Sequence, residues 1–263
     1  VHIDAVALQS DPASSANHGL HVVNGPQCKI TRIQVKDFSS DGTATAACGG
    51  AGIRVEASVA ISIEDCIIDK PGTQGIYVKS ATIGGSPAES QESFISRNRV
   101  YRSGSIGILV SEGGGHRIVN NDIELCAGGI EVRSSYDFDI SHNYFEANTT
   151  DIAVRNTVDL VAARAVKGGR IIGNFCESTT GISLVNGDDI VVLANRISGN
   201  ASIAAAMVRT VWGMQTEQTG ALTDSASDTR YVHTRPITGT ANEITVTNGN
   251  GVSGAPTLSL PSA

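Results

Sequence analysis

The sequence is poor in several features that define common classes of protein. Aromatic residues make up only 4% of its 263 residues, and no apolar run is long enough to cross a membrane. Lys and Arg number 19 against 26 Asp and Glu, so the formal net charge is −7. We therefore expect neither a general nucleic-acid surface nor membrane insertion.

Cysteine is also scarce, and its spacing indicates no metal site. The five cysteines include no Cys-x-x-Cys pair, and their number is odd. Cys66 and Cys176 occupy repeat positions that Asn or apolar residues otherwise fill. We therefore expect buried, reduced thiols rather than a disulfide framework, and we expect no metal and no cofactor.

What the sequence does contain is an internal repeat. A small or turn-forming residue followed by apolar, variable and apolar residues recurs about every 22 residues, with insertions of roughly ten residues in three repeats. A period of this size is typical of a solenoid. The matching segments are Gly19–Val22, Gly52–Val55, Gly75–Val78, Gly107–Val110, Gly129–Val132, Asp151–Val154 and Gly181–Leu184.

A second pattern runs in phase with the first. An apolar-x-x-Asn-x-apolar frame recurs at Asn98, Asn121, Asn143, Asn174 and Asn195. Stacked coils would place these residues in one column, where Asn tolerates a tight bend and its amide can hydrogen-bond to the next coil. The two patterns together predict an all-β fold, a right-handed parallel β-helix with two or three short strands in each coil.

Domain boundaries are placed where the repeats stop. Residues 1–200 are assigned to the parallel β-helix, residues 201–235 to a cap and linker, and residues 236–263 to a small C-terminal β module. The cap is expected to be a short helix or an apolar strand that covers the open end of the last coil, and residues 215–228 a polar linker. The module has only two strand-like runs, which cannot bury a core alone, so we expect it to dock on the solenoid or on its own copies. The chain lacks an initiating Met and begins in a strand-like segment, so we expect an upstream region.

One face of the predicted solenoid is rich in charged residues and tyrosine. In each repeat the residue between the two apolar positions points outward, as does the residue two positions later. The face is either an ordinary solvated surface or a groove for a charged or hydroxyl-rich polymer, with the inserted loops 40–50, 80–92 and 158–167 as walls. The candidate binding residues are Arg54, Glu56, Tyr77, Lys79, Arg133 and Arg155.

Carboxylates near this face are the candidates for catalysis. Glycoside hydrolases use two carboxyl groups, about 5–5.5 Å apart in retaining enzymes and about 6.5–9.5 Å apart in inverting ones. Strand and coil spacings place Glu131 about 8 Å from Asp151 and about 11 Å from Glu112, and either could form an inverting pair with it. Asp151, however, occupies a turn position, where a local hydrogen bond to the backbone is the commoner role. Glu56 is three coils from Glu131 and cannot act with it.

A lyase would need different groups for an acidic glycan. Cations would neutralise the carboxylate of the sugar, and a residue such as Tyr77 or Lys79 would move the proton. Arg133 and Arg155 suit the first task, but the same cations would equally form ion pairs with protein carboxylates. The residues leave open whether the chain is an enzyme, and they favour hydrolysis over elimination if it is one.

The C-terminal residues resemble a known family. Residues 236–261, PITGTANEITVTNGNGVSGAPTLSLP, are similar to a short segment common in tail fibre and tailspike proteins of tailed bacteriophages, and the coils are similar to the pectate-lyase-like β-helix superfamily. The resemblance implies a homotrimeric tailspike-like protein of the virion tail that binds host capsular or O-antigen polysaccharide and often cleaves it. It transfers no catalytic residues, because the motifs of polygalacturonases, pectate lyases and mannuronan epimerases are missing, apart from an echo at Asn186–Asp189. The alternatives are a non-catalytic structural or adhesive tail fibre segment and a bacterial polysaccharide lyase or epimerase.

Overall fold

The described strands wind into a parallel β-helix. A computed structural model describes residues 1–8, 18–36, 50–157, 166–232, 245–247 and 257–259. Apart from two small hairpins, the strands of these residues form three parallel sheets. The chain runs through the first, second and third sheets in turn and returns to the first, so each circuit is one coil. The predicted all-β solenoid is confirmed.

Each sheet takes one strand from each coil. The first sheet contains His2–Asp4, Lys29–Thr31, Ser62–Glu64, Phe94–Ser96, Arg117–Val119, Asp139–Ser141, Arg170–Ile172, Val191–Leu193, Val211–Trp212 and Arg230–Tyr231. The second contains Ala7–Leu8, Gln34–Val35, Ile67–Asp69, Arg99–Tyr101, Asp122–Glu124, Tyr144–Glu146, Phe175–Cys176, Arg196–Ile197 and Glu217–Gln218. The third contains Leu20–Val23, Ile53–Glu56, Ile76–Lys79, Ile106–Gly114, Gly128–Tyr136, Thr150–Arg155, Thr180–Asp188, Asn200–Val208 and Leu222–Asp224.

The interior is a stack of aliphatic side chains. In the third sheet, Ile76 pairs with Ile108, and Ile108 pairs with Ile130 on the next coil. Alternation along each strand turns these side chains inward, and all three are at most 1% exposed. Each coil thus buries its apolar surface against its two neighbours, as in other solenoids.

The glycine that directly precedes the inward-facing isoleucine of these strands is required by close packing. A methyl group on Gly75 would lie 2.3 Å from a side-chain carbon of Val100, and one on Gly107 would lie 2.5 Å from a side-chain carbon of Ile123. In both cases the crowding residue belongs to the second-sheet strand of the following coil. Neither glycine has a positive φ, so lack of space rather than backbone freedom explains the repeated glycine.

The bend between the first and second sheets holds the predicted column of asparagines. Its five members are at most 2% exposed. Asn121 donates from both its backbone and its side-chain nitrogen to Asn143 Oδ1, each at 2.9 Å. Asn143 Nδ2 in turn donates to the Ile118 carbonyl at 2.9 Å and to Asn174 Oδ1 at 3.0 Å. Gln215, which the sequence pattern did not identify, extends the column by accepting from Asn195.

The left-handed turn lies one residue before each asparagine, not at the asparagine as the sequence analysis expected. The preceding residues have φ of 55° at Arg97, 55° at Asn120 and 56° at His142. The asparagine amide has to point into the bend to reach the next coil, so the preceding residue makes the turn. Gly173 and Ala194 continue the same pattern, with φ of 68° and 53°.

The coils continue beyond the boundary expected at residue 200. Asn200–Val208 is an apolar strand, one of the two forms expected for the cap, but it pairs within the third sheet. Residues 211–224 form a ninth coil and Arg230–Tyr231 begins a tenth. Residues 215–228, expected to be a linker, are therefore part of the solenoid. Their strands are polar and only two or three residues long, but each is hydrogen-bonded to a strand of the preceding coil.

The structure also describes four cysteines and two strands of the C-terminal module. Cys28, Cys66, Cys126 and Cys176 are buried and free, as predicted, whereas Cys48 lies outside the described residues. Two strands of the C-terminal module, Thr245–Thr247 and Thr257–Ser259, pair antiparallel, and the docking of the module stays a prediction. Within the described ranges no helix has the length and apolarity needed to span a membrane.

We predict that Asn143→Ala destabilises the solenoid by about 3 kcal/mol, because it leaves buried donors and acceptors of two coils unsatisfied. Urea unfolding followed by circular dichroism measures the change. Gln34→Ala, which removes an exposed amide from the outer side of the second sheet, is the matched control and should cost less than about 0.5 kcal/mol. Equal losses in the two variants would contradict a structural role for the amide column.

Candidate functional site

The outer face of the third sheet, here called the third-sheet face, carries the predicted binding residues in the predicted order. Arg54 pairs with Tyr77 on the next coil. Tyr77 pairs in turn with Leu109, and Leu109 pairs with Glu131. Two positions further along the same strands, Glu56 pairs with Lys79. Arg133 and Arg155, which pair with each other, occupy the same position three coils later. The period of two thus brings residues far apart in sequence into two outward columns.

The N-terminal part of this face holds cations around one tyrosine. The Arg54 guanidinium carbon lies 5.5 Å from the centre of the Tyr77 ring, and the Lys79 ammonium lies 5.6 Å from it. Both distances are in the range of cation–π attraction. Arg54 Nε also donates to Glu56 Oε1 at 3.0 Å. We call Arg54, Glu56, Tyr77 and Lys79 the Tyr77 cluster.

Two histidines, which were not among the predicted site residues, adjoin the Tyr77 cluster. His21 Nε2 lies 3.0 Å from Glu56 Oε2, and the His18 ring packs edge-on against His21 with its Nε2 3.2 Å from Arg54. Burial, reinforced by Arg54, lowers the pKa of His18. Burial opposes ionisation of Glu56, but hydrogen bonds from Arg54 and His21 outweigh it and lower the pKa of Glu56. The repeat places His21 in the outward column; no repeat position marks His18.

Glu131 is buried beneath two arginines in the middle of the face. It is 3% exposed. Arg133 Nε donates to Glu131 Oε1 from the same strand, and Arg155 Nε lies 3.4 Å from the same oxygen on the next coil. The predicted catalytic glutamate and two predicted binding arginines therefore form one ion-paired group, which leaves the carboxylate little access to solvent.

Asp151 is directed into a bend rather than onto the third-sheet face. It is fully buried and accepts hydrogen bonds from the Ser178 backbone at 3.0 Å, from the Ser178 hydroxyl, and from Asn148 Nδ2 at 3.0 Å. Burial raises the pKa of Asp151 to about 6, although these hydrogen bonds act in the opposite direction. Asp151 replaces the repeated glycine, and its carboxylate links two coils.

Glu112 lies next to an outward position of its third-sheet strand and is also buried. It follows Ser111, adopts a left-handed conformation with φ of 64°, and is 3% exposed. Its backbone carbonyl lies 3.3 Å from Nε2 of the fully buried His116. Each of the three predicted catalytic carboxylates is therefore buried. Their catalytic roles stay predictions.

The walls predicted for the face can be located only in part. Within the loop 80–92, Ala81–Ile83 and Ser86–Ala88 form an antiparallel hairpin. Gly84 and Gly85, with φ of 58° and 84°, make its turn. Residues 40–49 and 158–165, which belong to the other two predicted walls, lie outside the described residues.

Comparisons with known proteins agree with this architecture. A family model described as a right handed beta helix region matches residues 13–158 and 88–254. No curated protein sequence shows a significant match. Similar solved structures include the Dettilon tailspike protein gp208 (16% identity, TM-score 0.58), the surface protein and adhesin PfbA of Streptococcus pneumoniae (13%, 0.55) and a hyperthermoactive exopolygalacturonase of Thermotoga maritima (12%, 0.53).

These similarities concern the fold alone. They cover 90%, 81% and 78% of this chain, but 48%, 68% and 49% of the tailspike, the adhesin and the exopolygalacturonase. The chain therefore spans about half the length of the tailspike and of the exopolygalacturonase. One fold supports many activities, so function has to be argued from the residues of this chain.

We predict that Asp151 makes the stability of the protein fall as the pH rises. Its pKa of about 6 in the folded state exceeds the value of about 3.9 for an unfolded chain, so ionisation between these values costs about 3 kcal/mol of folding free energy. Relative to Asp151→Asn, which cannot ionise, the parent should lose this stability between about pH 4 and pH 7. Urea unfolding across this range measures the difference, and a difference that does not change with pH would contradict the burial of an ionisable carboxyl group.

Proposed function

Because the chain belongs to the right-handed β-helix family, we propose that it is a tailspike-like protein of a phage or prophage whose third-sheet face binds host surface polysaccharide. In this proposal the protein is a homotrimer in the virion tail, and the ligand is a capsular or O-antigen glycan. The Tyr77 cluster is the observation that carries the proposal.

The chemistry of the Tyr77 cluster suits a glycan with acidic groups. Sugar rings present C–H faces that pack on an aromatic ring and hydroxyl groups that bond to charged side chains, the combination found in most ligand sites. Arg54 and Lys79 flank the ring, and His21 adds a third group able to carry positive charge. Glu56 is the one acidic member of the Tyr77 cluster against two cations, so the cluster attracts carboxylate or sulfate groups on the sugar.

The family supports a glycan ligand without specifying one. The structural neighbours include a tailspike, an adhesin and an exopolygalacturonase. The low identities transfer no residue and no substrate, and the proposal therefore depends on the Tyr77 cluster.

Cleavage of the glycan is the finer part of the proposal. Glu131 would act as acid or base together with Glu112 or Asp151, as in an inverting hydrolase. An anionic glycan that pairs with Arg133 and Arg155 would release Glu131 from its two partners. Without such a release, the buried carboxylate cannot exchange a proton with a substrate.

A non-catalytic adhesive or structural fibre segment is the second candidate. It is favoured by the ion pairs of the face, because Glu131 is held by two arginines and Glu56 by Arg54 and His21. A structural surface neutralises its charges in this way. A bacterial polysaccharide lyase or epimerase is a third alternative.

We predict that Tyr77→Ala weakens binding to the recognised host glycan about tenfold. The substitution removes the aromatic ring and the cation–π contacts that hold the ring between Arg54 and Lys79. Calorimetry on purified capsular and O-antigen glycans measures the affinity. Tyr77→Phe keeps the ring and should bind like the parent. Ser183→Ala, in the same outward column but outside the Tyr77 cluster, is the control and should also bind like the parent. Equal affinities of the parent and Tyr77→Ala would exclude the Tyr77 cluster as the binding site.

We predict that a cleaving protein releases new reducing ends from the recognised glycan and that Glu131→Gln abolishes this release while binding persists. Arg133→Ala should weaken binding of an acidic glycan. Ultraviolet absorbance of an unsaturated product, in place of hydrolysis, would identify a lyase. Binding with no cleavage by the parent would assign the protein to the adhesive class.

A further inference from the structure

A second groove lies away from the third-sheet face, over the bend that joins the third sheet to the first. Its volume is about 660 Å³, within the range of about 300–1,000 Å³ that ligand sites occupy. We call it the bend groove. Four successive coils line it, through Glu92, Phe94, Arg117, Asp137, Asp139 and Arg170.

Strand register and two glycines give the bend groove its shape. Phe94, Arg117, Asp139 and Arg170 pair in that order in the first sheet. With about 4.8 Å between coils, they extend over about 14 Å along the solenoid axis. Glu92, Gly115, Asp137 and Gly168 occupy the same position of the bend on four successive coils. The two glycines, with φ of 72° and 69°, leave depressions beside the side chains of Glu92 and Asp137.

The charges of the bend groove are available to a ligand. Glu92, Arg117 and Asp137 are exposed, and within the described ranges none of them forms an ion pair. The third-sheet face differs, because its glutamates are held by arginines. An exposed aromatic ring accompanies these charges, since Phe94 is 36% exposed at the side of the groove.

One carboxylate of the groove has an oxygen without a partner. Arg170 donates to Asp139 Oδ2 at 2.8 Å. Asp139 Oδ1 is buried and accepts no hydrogen bond from any residue that the structure describes. A buried acceptor of this kind requires a donor, and a rotation of the partly exposed Asp139 side chain would bring the oxygen to a hydroxyl group lying in the groove.

We propose that the bend groove is a second glycan site, which binds a short run of neutral, hydroxyl-rich sugar units. A sugar ring stacks on Phe94, its hydroxyl groups donate to Asp139 and Asp137, and Arg117 donates to the oxygens of the next unit. This proposal does not rest on the function proposed for the third-sheet face, since it uses different residues.

Other classes of ligand fit the bend groove less well. Three carboxylates against two arginines give no excess of positive charge for a phosphate or a nucleic acid. Among the described residues, no group of three His, Cys, Asp or Glu side chains is arranged to hold a metal ion. The core of a protein–protein interface is depleted in charged residues, whereas three exposed charges without ion pairs lie in this groove.

Ligand-observed NMR on the full chain tests the proposal, with cellotetraose, maltotetraose and chitotetraose at millimolar concentration as probes. We expect saturation transfer to at least one of the three. Phe94→Ala should weaken that binding about tenfold, Phe94→Tyr should preserve it, and Tyr77→Ala should leave it unchanged. Arg117→Ala, a substitution at an exposed position, carries the test if Phe94→Ala does not fold.

Four results would overturn the proposal. The first is an absence of transfer to any probe, and the second is transfer that Phe94→Ala and Arg117→Ala leave unchanged. The third is a change of molecular mass in solution, rather than of binding, on replacing Phe94, which would make the groove a contact between copies of the chain. Loss of probe binding in Tyr77→Ala, but not in Phe94→Ala, would assign the sugar to the third-sheet face instead.

Discussion

The buried column of amides from Asn98 to Gln215 fixes how each coil sits on the next. Each amide after Asn98 accepts from the preceding member, and each donates to backbone carbonyls, so these coils cannot rotate or slip without leaving buried polar groups unsatisfied. The bend is therefore held in one register. The strands of the three sheets follow the bend in each coil, so the same register sets their pairing. Phe94 and Arg117 lie on the first two coils that the column joins, and they lie side by side because this bend permits no other alignment.

The same repeat produces two surfaces with different chemistry. On the third-sheet face, residues two apart in one strand point to the same side, so Arg133 reaches Glu131 and Arg54 reaches Glu56. In the bend groove, glycine alternates with Glu92 and Asp137 from coil to coil, and these two carboxylates form no ion pair with any residue that the structure describes. A solenoid can thus present one surface whose glutamates are all held by arginines and another on which several charges are unpaired, without any change in its core.

Local periodicity explains what could be predicted from the sequence. The inward aliphatic stack, the outward columns and the amide column all depend on residues a few positions apart, and each was predicted. The burial of Asp151 depends on Asn148 and Ser178, and Ser178 belongs to the next coil, where no repeat marks it. The solenoid strands after residue 208 have only two or three residues each and are too short for a pattern of their own. The bend groove depends on small residues at Gly115 and Gly168, which become neighbours of acidic residues only when the coils are stacked.

The amide column is confined to part of the solenoid. Ile33 and Cys66 occupy its positions in the second and third coils, and Cys66 contributes only a backbone N–H, which donates to Asn98 Oδ1 at 3.0 Å. Since each coil contacts only its neighbours, the loss of one coil does not require the loss of all. Heating should therefore separate the second and third coils at a lower temperature than the coils from the fourth to the eighth, which the amide column joins.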